Sequence, residues 1–425
     1  MTATMTAHPA PAAPPAPAVP GPVARAERAL APDLARGAML LFIALANAAN
    51  CAFAGQPGMD GTPHGAQRVV NFLLATLVDS RAYPVFAVMF GYGLVQIARR
   101  QGPAARRILL RRNAALIGFG LVHATLLYFG DFLGAYGIVG ILATVLLLRR
   151  GDRFHRLVLW LWGLQTLYAA FLTVTALTGA HGGDAVLGNS PNPSLAAASY
   201  GRSMLDRLAE WPVHTASVIP FIVIVWLGIW AARQRILENP AAHRTLLRRV
   251  AAGSLGISVL GALPYALVAA GVLHLDPAGV EAMARVHAVT GEYGGPGYVA
   301  LFGLLALRLS AAGTPGGAGE TGGAGAIGGA GTPGGAGAPG GRGRRLLAPV
   351  IALGQRSLSG YLLQSVAWLL LFAPWALHLG GTWAALASGV AVWLVSLAGA
   401  QALSAIGHRG PAETLLRRIT YRTGR

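Results

Sequence analysis

Residues 113–148 read NAALIGFGLVHATLLYFGDFLGAYGIVGILATVLLL, and this stretch decides the fold. His123 and Asp131 are its only His, Asp, Glu or Arg residues, and an arginine pair flanks it on each side, Arg111–Arg112 and Arg149–Arg150. A helix of roughly 20 apolar residues crosses a hydrocarbon layer of about 30 Å. The stretch therefore predicts two membrane-spanning helices that leave from and return to the same side.

The whole chain repeats this pattern. Of its 425 residues, 54% are hydrophobic and 11% charged, with a mean hydropathy of +0.54, whereas a soluble domain carries about 25% charged residues. We predict an all-α polytopic transmembrane helix bundle of about ten spans. They lie near residues 34–53, 69–98, 113–130, 132–148, 157–179, 214–232, 250–273, 295–309, 346–371 and 383–406.

The arginines predict the orientation of the bundle. Short cytoplasmic loops of membrane proteins are enriched in basic residues. With both ends of the chain inside, 27 arginines fall on the cytoplasmic side and four outside, Arg68, Arg202, Arg207 and Arg285. The net charge of +18 then predicts contact with anionic lipid headgroups and not with nucleic acid.

Two segments do not have the amino-acid composition of membrane-spanning helices. Residues 1–24 are rich in Pro and Ala and carry no charged side chain, which predicts a disordered N-terminal segment. Residues 310–343 are a Gly, Ala and Pro tract, typical of a flexible cytoplasmic linker. They separate spans 1–8, within 25–309, from spans 9 and 10 and the basic tail, within 344–425.

His123 and Asp131 are the first candidates for chemistry. A neutral imidazole in a membrane can act as a general base, whereas the alternative is a histidine that only bonds a neighbouring helix. Eight residues of continuous helix would place the two side chains on roughly one face but about 12 Å apart along the axis. Direct contact therefore requires the chain to bend back.

Other polar residues lie within the predicted spans. Asp79, Arg81 and Pro84 interrupt the second block and predict either a break or an interfacial helix before the span. Arg356 begins an unusually polar stretch, LGQRSLSGYLLQS, and its guanidinium either holds a phosphate or carboxylate or pairs internally. Asp33 and Arg36 are three residues apart, a spacing at which helical side chains can pair.

No metal site is predicted. His274, Asp276, Glu281, His287 and Glu292 share a predicted outer loop, but their spacing matches no HExxH-like pattern. Cys51 is the single cysteine, so no internal disulfide can form.

Several phrases together resemble the YeiB-like family of bacterial membrane proteins, also called domain of unknown function 418. The opening phrase is carried by Arg28, Asp33, Arg36, Gly37 and Asn47, although Pro32 stands where the family usually has Leu. The later phrases are carried by Phe86, Phe90, Gly91 and Gly93; by Arg111, Arg112, His123, Gly130, Asp131 and Tyr136; by Gly354, Ser357, Tyr361, Gln364 and Ser365; and by Gly410, Pro411, Glu413, Arg417, Arg418, Thr420 and Tyr421.

The resemblance implies a multi-pass protein of the bacterial cytoplasmic (inner) membrane. The family's opening and histidine phrases are in turn similar to those of membrane acyltransferases, which implies acyl-CoA as donor substrate, no bound cofactor, and a lipid, sugar or cell-envelope acceptor. His123 and Asp131 would then be catalytic. The substrate-binding residues would be Asp33, Arg36, Asn47, Arg81, Tyr136, Arg356, Ser357, Tyr361 and Gln364. A transporter or a non-catalytic scaffold remains the alternative.

Overall fold

The computed structural model describes residues 30–178, 183, 185, 187–311 and 346–421. The predicted N-terminal segment lies outside these residues, as does nearly all of the predicted linker. The first helices are α1 (Leu30–Ala52), α2 (Ala66–Leu73), α3 (Ala82–Gln101), α4 (Ala105–Leu126), α5 (Phe132–Leu142) and α6 (Asp152–Thr178). Five-residue π-helical turns extend α2 (Leu74–Val78) and α5 (Ala143–Leu147).

The remaining helices are α7 (Pro193–Ala196), α8 (Tyr200–Val218), α9 (Ile222–Arg233), α10 (Arg244–Ala269), α11 (Pro277–Gly291), α12 (Gly294–Ala311), α13 (Ala348–Gly354), α14 (Ser357–Phe372), α15 (Thr382–Ala405) and α16 (Pro411–Thr420). The described strands, β1 (Gly55–Gln56) and β2 (Ser190–Pro191), form one antiparallel pair between two loops. The predicted all-α bundle is confirmed.

Six helical segments of the described chain are long and apolar enough to cross a membrane. They are Leu30–Ala52, Ala66–Leu126, Asp152–Thr175, Tyr200–Arg233, Arg244–Ala269 and Thr382–Ala405, with shorter apolar helices at Phe132–Leu147 and Ser357–Phe372. A lipid environment also explains α6, where Trp160, Leu167 and Phe171 are 79%, 69% and 63% exposed, because soluble proteins rarely expose such apolar patches. The count of ten and the cytoplasmic ends stay predictions.

The centre of the bundle is the contact between α3 and α9. Val88 and Tyr92 on α3 are buried in one cluster with Val225 and Trp226 on α9. On the other side of the molecule α1 packs against α3, α13, α14 and α15. The N-terminal and C-terminal helices therefore share one bundle, although residues 312–345 of the sequence separate them.

Two helix breaks in the described part of the chain lie together. The chain breaks between the π turn after α2 and the start of α3, where Ser80 has a φ of 61°. A second break separates α11 from α12. His287 of α11 lies 2.9 Å from the carbonyl oxygen of Ala75 and 2.7 Å from the Arg81 guanidinium. These two contacts of His287 link the helix before the second break to the first break. The predicted interruption at Asp79–Pro84 is therefore a break inside the bundle.

Candidate functional site

His123 and Asp131 are in direct contact. Helix α4 ends at Leu126, the chain turns, and Asp131 caps α5 by accepting hydrogen bonds from the backbone N–H groups of Leu133 (3.1 Å) and Gly134 (2.7 Å). The Nδ1 atom of His123 lies 2.9 Å from the Asp131 carboxylate. The chain bends back between α4 and α5, which is the condition that the sequence set for direct contact; one continuous helix would have kept the two side chains about 12 Å apart.

A third residue continues this pair. The Nε2 atom of His123 lies 2.8 Å from the hydroxyl of Ser365 on α14. The exposed fractions are 2% for His123 and 0% for both Asp131 and Ser365. We call these three residues the buried relay. The Ser365 hydroxyl also donates to the Tyr361 carbonyl oxygen at 3.3 Å, one turn earlier on α14. Both ring nitrogens of His123 thus have partners inside the protein.

The buried relay lies next to a large cavity of 1210 Å³, and the Tyr361 side chain lies between the two. Tyr361 lines the cavity, its ring packs on the His123 ring with centroids 4.9 Å apart, and its hydroxyl donates to the Gly130 carbonyl at 3.3 Å. None of the three relay residues lines that cavity. The bundle around His123 is therefore tightly packed, yet a cavity begins one side chain away.

The cavity extends through much of the bundle. Helix α1 contributes Arg36 near one end and Asn50 near the other, and 14 residues of helix correspond to about 21 Å. We name three zones by their lining residues. The arginine end comprises Arg36, Arg99, Arg100, Arg112, Arg235 and Arg417; the aromatic middle comprises Tyr83, Phe86, Phe90, Phe132, Tyr136 and Phe221; the amide end comprises Asn47, Asn50, Gln56, Asp79 and Ser80.

The arginine end carries an excess of positive charge. Arg36 pairs with Asp33 at 3.3 Å, as their spacing predicts, and Arg99 lies 3.8 Å from Glu238. The carboxylate of Glu413 instead accepts from the backbone N–H groups of Leu358 (2.9 Å) and Ser359 (3.0 Å) at the start of α14. At this end of the cavity, six arginines thus face three carboxylates, and the carboxylate of Glu413 is bonded to the start of α14.

Arg112 is the central cation of this end. Its guanidinium lies 5.4 Å from the centre of the Phe90 ring and donates to the side-chain oxygen of Asn113 at 3.2 Å. Arg36 and Tyr421 line the same cavity. Each guanidinium group that lines this end can bind a phosphate through two N–H donors.

Arg81 and Arg356 do not line the cavity. Arg81 is 1% exposed and donates to the carbonyl oxygens of Asp79 and Ser258, the latter at 2.9 Å. Arg356 is also 1% exposed and donates to the carbonyl oxygens of His408 (2.6 Å) and Ala352 (3.0 Å). Both guanidinium groups tie backbone segments together, which is the internal role that the sequence left open for Arg356.

The other predicted binding residues divide into two groups. Asp33, Arg36, Asn47, Tyr136, Ser357 and Tyr361 line the cavity. Gln364 does not; it is fully buried, and its amide nitrogen donates to the Leu40 carbonyl at 3.3 Å. Tyr136 donates to the Tyr83 carbonyl at 2.8 Å. Among the described residues, no group of three His, Cys, Asp or Glu side chains could hold a metal ion.

Sequence reasoning missed His214 on α8. It lines the cavity beside Phe132, whose ring is perpendicular to it with centroids 5.1 Å apart. Its Nε2 atom has no hydrogen-bond partner in the described part of the chain. His214 begins a predicted span, where a histidine is typical of the membrane border. The amphipathic pattern of α8 could not mark His214 as a site residue, because the helix has polar residues on several sides.

The fold and the lining of the cavity define an all-helical membrane protein with a bipolar internal cavity. The family model described as "Protein of unknown function (DUF418)" matches residues 231–314 and 334–423, so the chain carries the signature of that family over its C-terminal part. The predicted resemblance is confirmed there.

A curated relative supports this assignment. The chain is 27% identical over 217 residues to the uncharacterized protein YxaH of Bacillus subtilis (strain 168), and the match covers 46% of this chain and 53% of the relative. It thus spans about half of the relative's length. No solved structure matches the chain.

Proposed function

We propose that the protein transfers an acyl group from an acyl-CoA, bound at the arginine end, to a hydroxyl or amine acceptor that enters from the amide end. The observation that carries this proposal is one cavity that joins a cluster of six arginines, through an aromatic middle, to a region lined by amides and the Asp79 carboxylate. The arginine end faces the cytoplasm in the predicted orientation, and the membrane is the bacterial cytoplasmic membrane.

The donor's phosphates suit the arginine end because guanidinium groups bind phosphate oxygens through paired N–H donors. The acyl chain then extends past Phe90 and Tyr136 into the aromatic middle. A cavity of 1210 Å³ exceeds the roughly 300–1,000 Å³ of common small-molecule sites, so it has room for two substrates.

The buried relay supports the wall between donor and acceptor. Asp131 fixes the turn between α4 and α5, and His123 joins that turn to α14 through Ser365. Tyr361 and Gly130, which line the cavity at this depth, are held in place by these contacts. The relay residues thereby position the site where the two substrates meet.

We expect Arg112→Ala to weaken acyl-CoA binding at least tenfold. A hydrogen bond to a charged group contributes about 1.5–3 kcal/mol, and 1.4 kcal/mol is a factor of ten in affinity. Binding of radiolabelled acetyl-CoA and palmitoyl-CoA to detergent-solubilised protein measures the effect. Arg248→Ala is the matched control, because Arg248 is exposed on α10 and does not line the cavity.

Transfer is followed in the same preparation by the release of the coenzyme A thiol with glycerol or ethanolamine as acceptor probes. Binding that is equal in the wild type, Arg112→Ala and Arg248→Ala would contradict the donor site. Absence of thiol release by the wild type with both donors would contradict acyl transfer.

A transporter is the second candidate, and the contact between the two helix breaks through His287 favours it. Transporters often bind substrates where interrupted helices meet near the centre of the membrane. Asp79 and Ser80, at the break before α3, line the cavity. Uptake of an anionic solute into proteoliposomes without any acyl donor would favour transport, whereas donor-dependent labelling of an acceptor without net uptake would favour the enzyme.

A further inference from the structure

We infer that His214 is the base that takes the proton from the acceptor in the proposed acyl transfer, and that His123 is a positioning residue. This inference rests on the proposed function and names a catalytic residue within it. Two histidines lie on either side of Asp131, and the structure gives them different surroundings.

His123 has no nitrogen left for a substrate. Its Nδ1 is bonded to Asp131 at 2.9 Å and its Nε2 to Ser365 at 2.8 Å, and all three side chains are buried. A general base must come within about 2.6–3.2 Å of the proton it removes. For His123 to do so, the Ser365 contact would have to break and the Tyr361 ring, which packs against the imidazole at 4.9 Å, would have to move away.

His214 meets these requirements more directly. It lines the cavity, and its Nε2 is buried without a hydrogen-bond partner among the described residues, so no existing hydrogen bond has to break before a substrate can bond to it. The rings of Phe129 and Phe132 meet the imidazole edge-on, with centroids 6.1 Å and 5.1 Å away, and so restrict its rotation.

The position of His214 also fits the order of the arginine end, the aromatic middle and the amide end along the cavity. Phe132 of the aromatic middle packs against its ring, and Ser217, one turn later on α8, also lines the cavity. A donor that enters from the arginine end reaches this depth with its acyl carbonyl. An acceptor held by Asn47, Asn50 and Gln56 arrives from the other side, so its hydroxyl or amine meets the carbonyl near His214.

The reaction balances with these groups. Nε2 of His214 accepts the proton of the acceptor hydroxyl or amine while that oxygen or nitrogen forms a bond to the thioester carbonyl carbon. The carbon–sulfur bond then breaks, and the departing thiolate takes the proton back from the imidazolium. The products are an ester or amide and the free coenzyme A thiol, and His214 returns to its neutral state.

The test compares His214→Ala, His123→Asn and the control His64→Ala, an exposed histidine outside the cavity lining, in the full-length protein. Thiol release from acetyl-CoA is measured with glycerol or ethanolamine as acceptor. General-base catalysis contributes roughly 10²–10⁴-fold. We expect His214→Ala to lower kcat at least 100-fold with KM for acetyl-CoA within twofold, and added imidazole to restore part of the rate. His123→Asn should lose thermal stability and lower kcat far less than His214→Ala does, and added imidazole should not restore its rate, because His123 acts only through the lining that it holds in place.

Wild-type turnover separates the two possible failures. If the wild type releases thiol and His214→Ala retains more than half of its kcat, the inference is overturned and the proposed acyl transfer stands. Loss of kcat in folded His123→Asn with full activity in His214→Ala would assign the base to His123 instead. If the wild type releases no thiol with either acceptor probe, both the proposed function and the inference are overturned.

Discussion

Asp131→Ala is expected to destabilise the protein by about 3 kcal/mol or more. The fully buried carboxylate accepts from His123 at 2.9 Å, from the Leu133 N–H at 3.1 Å and from the Gly134 N–H at 2.7 Å. Each buried donor that loses its acceptor costs about 1–3 kcal/mol. The substitution removes the acceptor of all three donors at once, and it also removes the cap of α5. The measurement is thermal unfolding of the purified protein in detergent.

Asp206→Ala is the matched control for this experiment. Its carboxylate pairs on the surface of α8 with Arg202, whose side chain is 68% exposed. An exposed ion pair contributes about 0.2–1 kcal/mol, so the control should unfold close to the wild type. If Asp131→Ala also unfolds within a degree of the wild type, the Asp131 carboxylate does not hold the turn between α4 and α5.

Gly91→Ala is expected to separate the two helices at the centre of the bundle. A Cβ atom at Gly91 would lie 2.0 Å from the Val225 carbonyl oxygen, and one at Gly228 would lie 2.0 Å from the Val88 carbonyl oxygen. The obstacle is backbone on both helices, so no side chain can rotate away. Overpacking of a tight core costs about 1–3 kcal/mol, occasionally more, and we expect the upper end here.

Gly93→Ala provides the control on the same helix, because no atom lies within 4 Å of a Cβ at that position. The yield of monodisperse protein by size-exclusion chromatography and the unfolding temperature are compared for the two variants. We expect loss of both quantities for Gly91→Ala and wild-type values for Gly93→Ala. Equal behaviour of the two variants would show that α3 and α9 do not meet through these glycines.

The helices were predictable because the membrane imposes a simple rule on composition. Blocks of about 20 apolar residues between arginine clusters are visible without any tertiary information. The break before α3 was also visible, since Asp79, Arg81 and Pro84 interrupt an apolar block. The second break, between α11 and α12, was missed because Glu292 and Tyr293 looked like the end of an outer loop.

The arrangement of the site was less predictable, because it depends on where helices end and which backbone atoms lie nearby. The His123–Asp131 contact arises from a helix end at Leu126, and the apolar sequence continues past that point without a strong stop signal. Arg81 and Arg356 looked like ligand-binding cations. Their partners are backbone carbonyl oxygens, such as those of Ser258 and His408, which no side-chain pattern reveals.

In the proposed function, one cavity holds the donor with its phosphates at the arginine end and its acyl group at the depth of Tyr361. A cryo-electron microscopy structure of the full-length protein with a non-hydrolysable thioether analogue of acetyl-CoA tests this arrangement. We expect phosphate density between Arg36 and Arg112 and acyl density in the aromatic middle, beside Phe132 and His214. Density for the analogue outside the cavity, or phosphate density at the amide end, would contradict it.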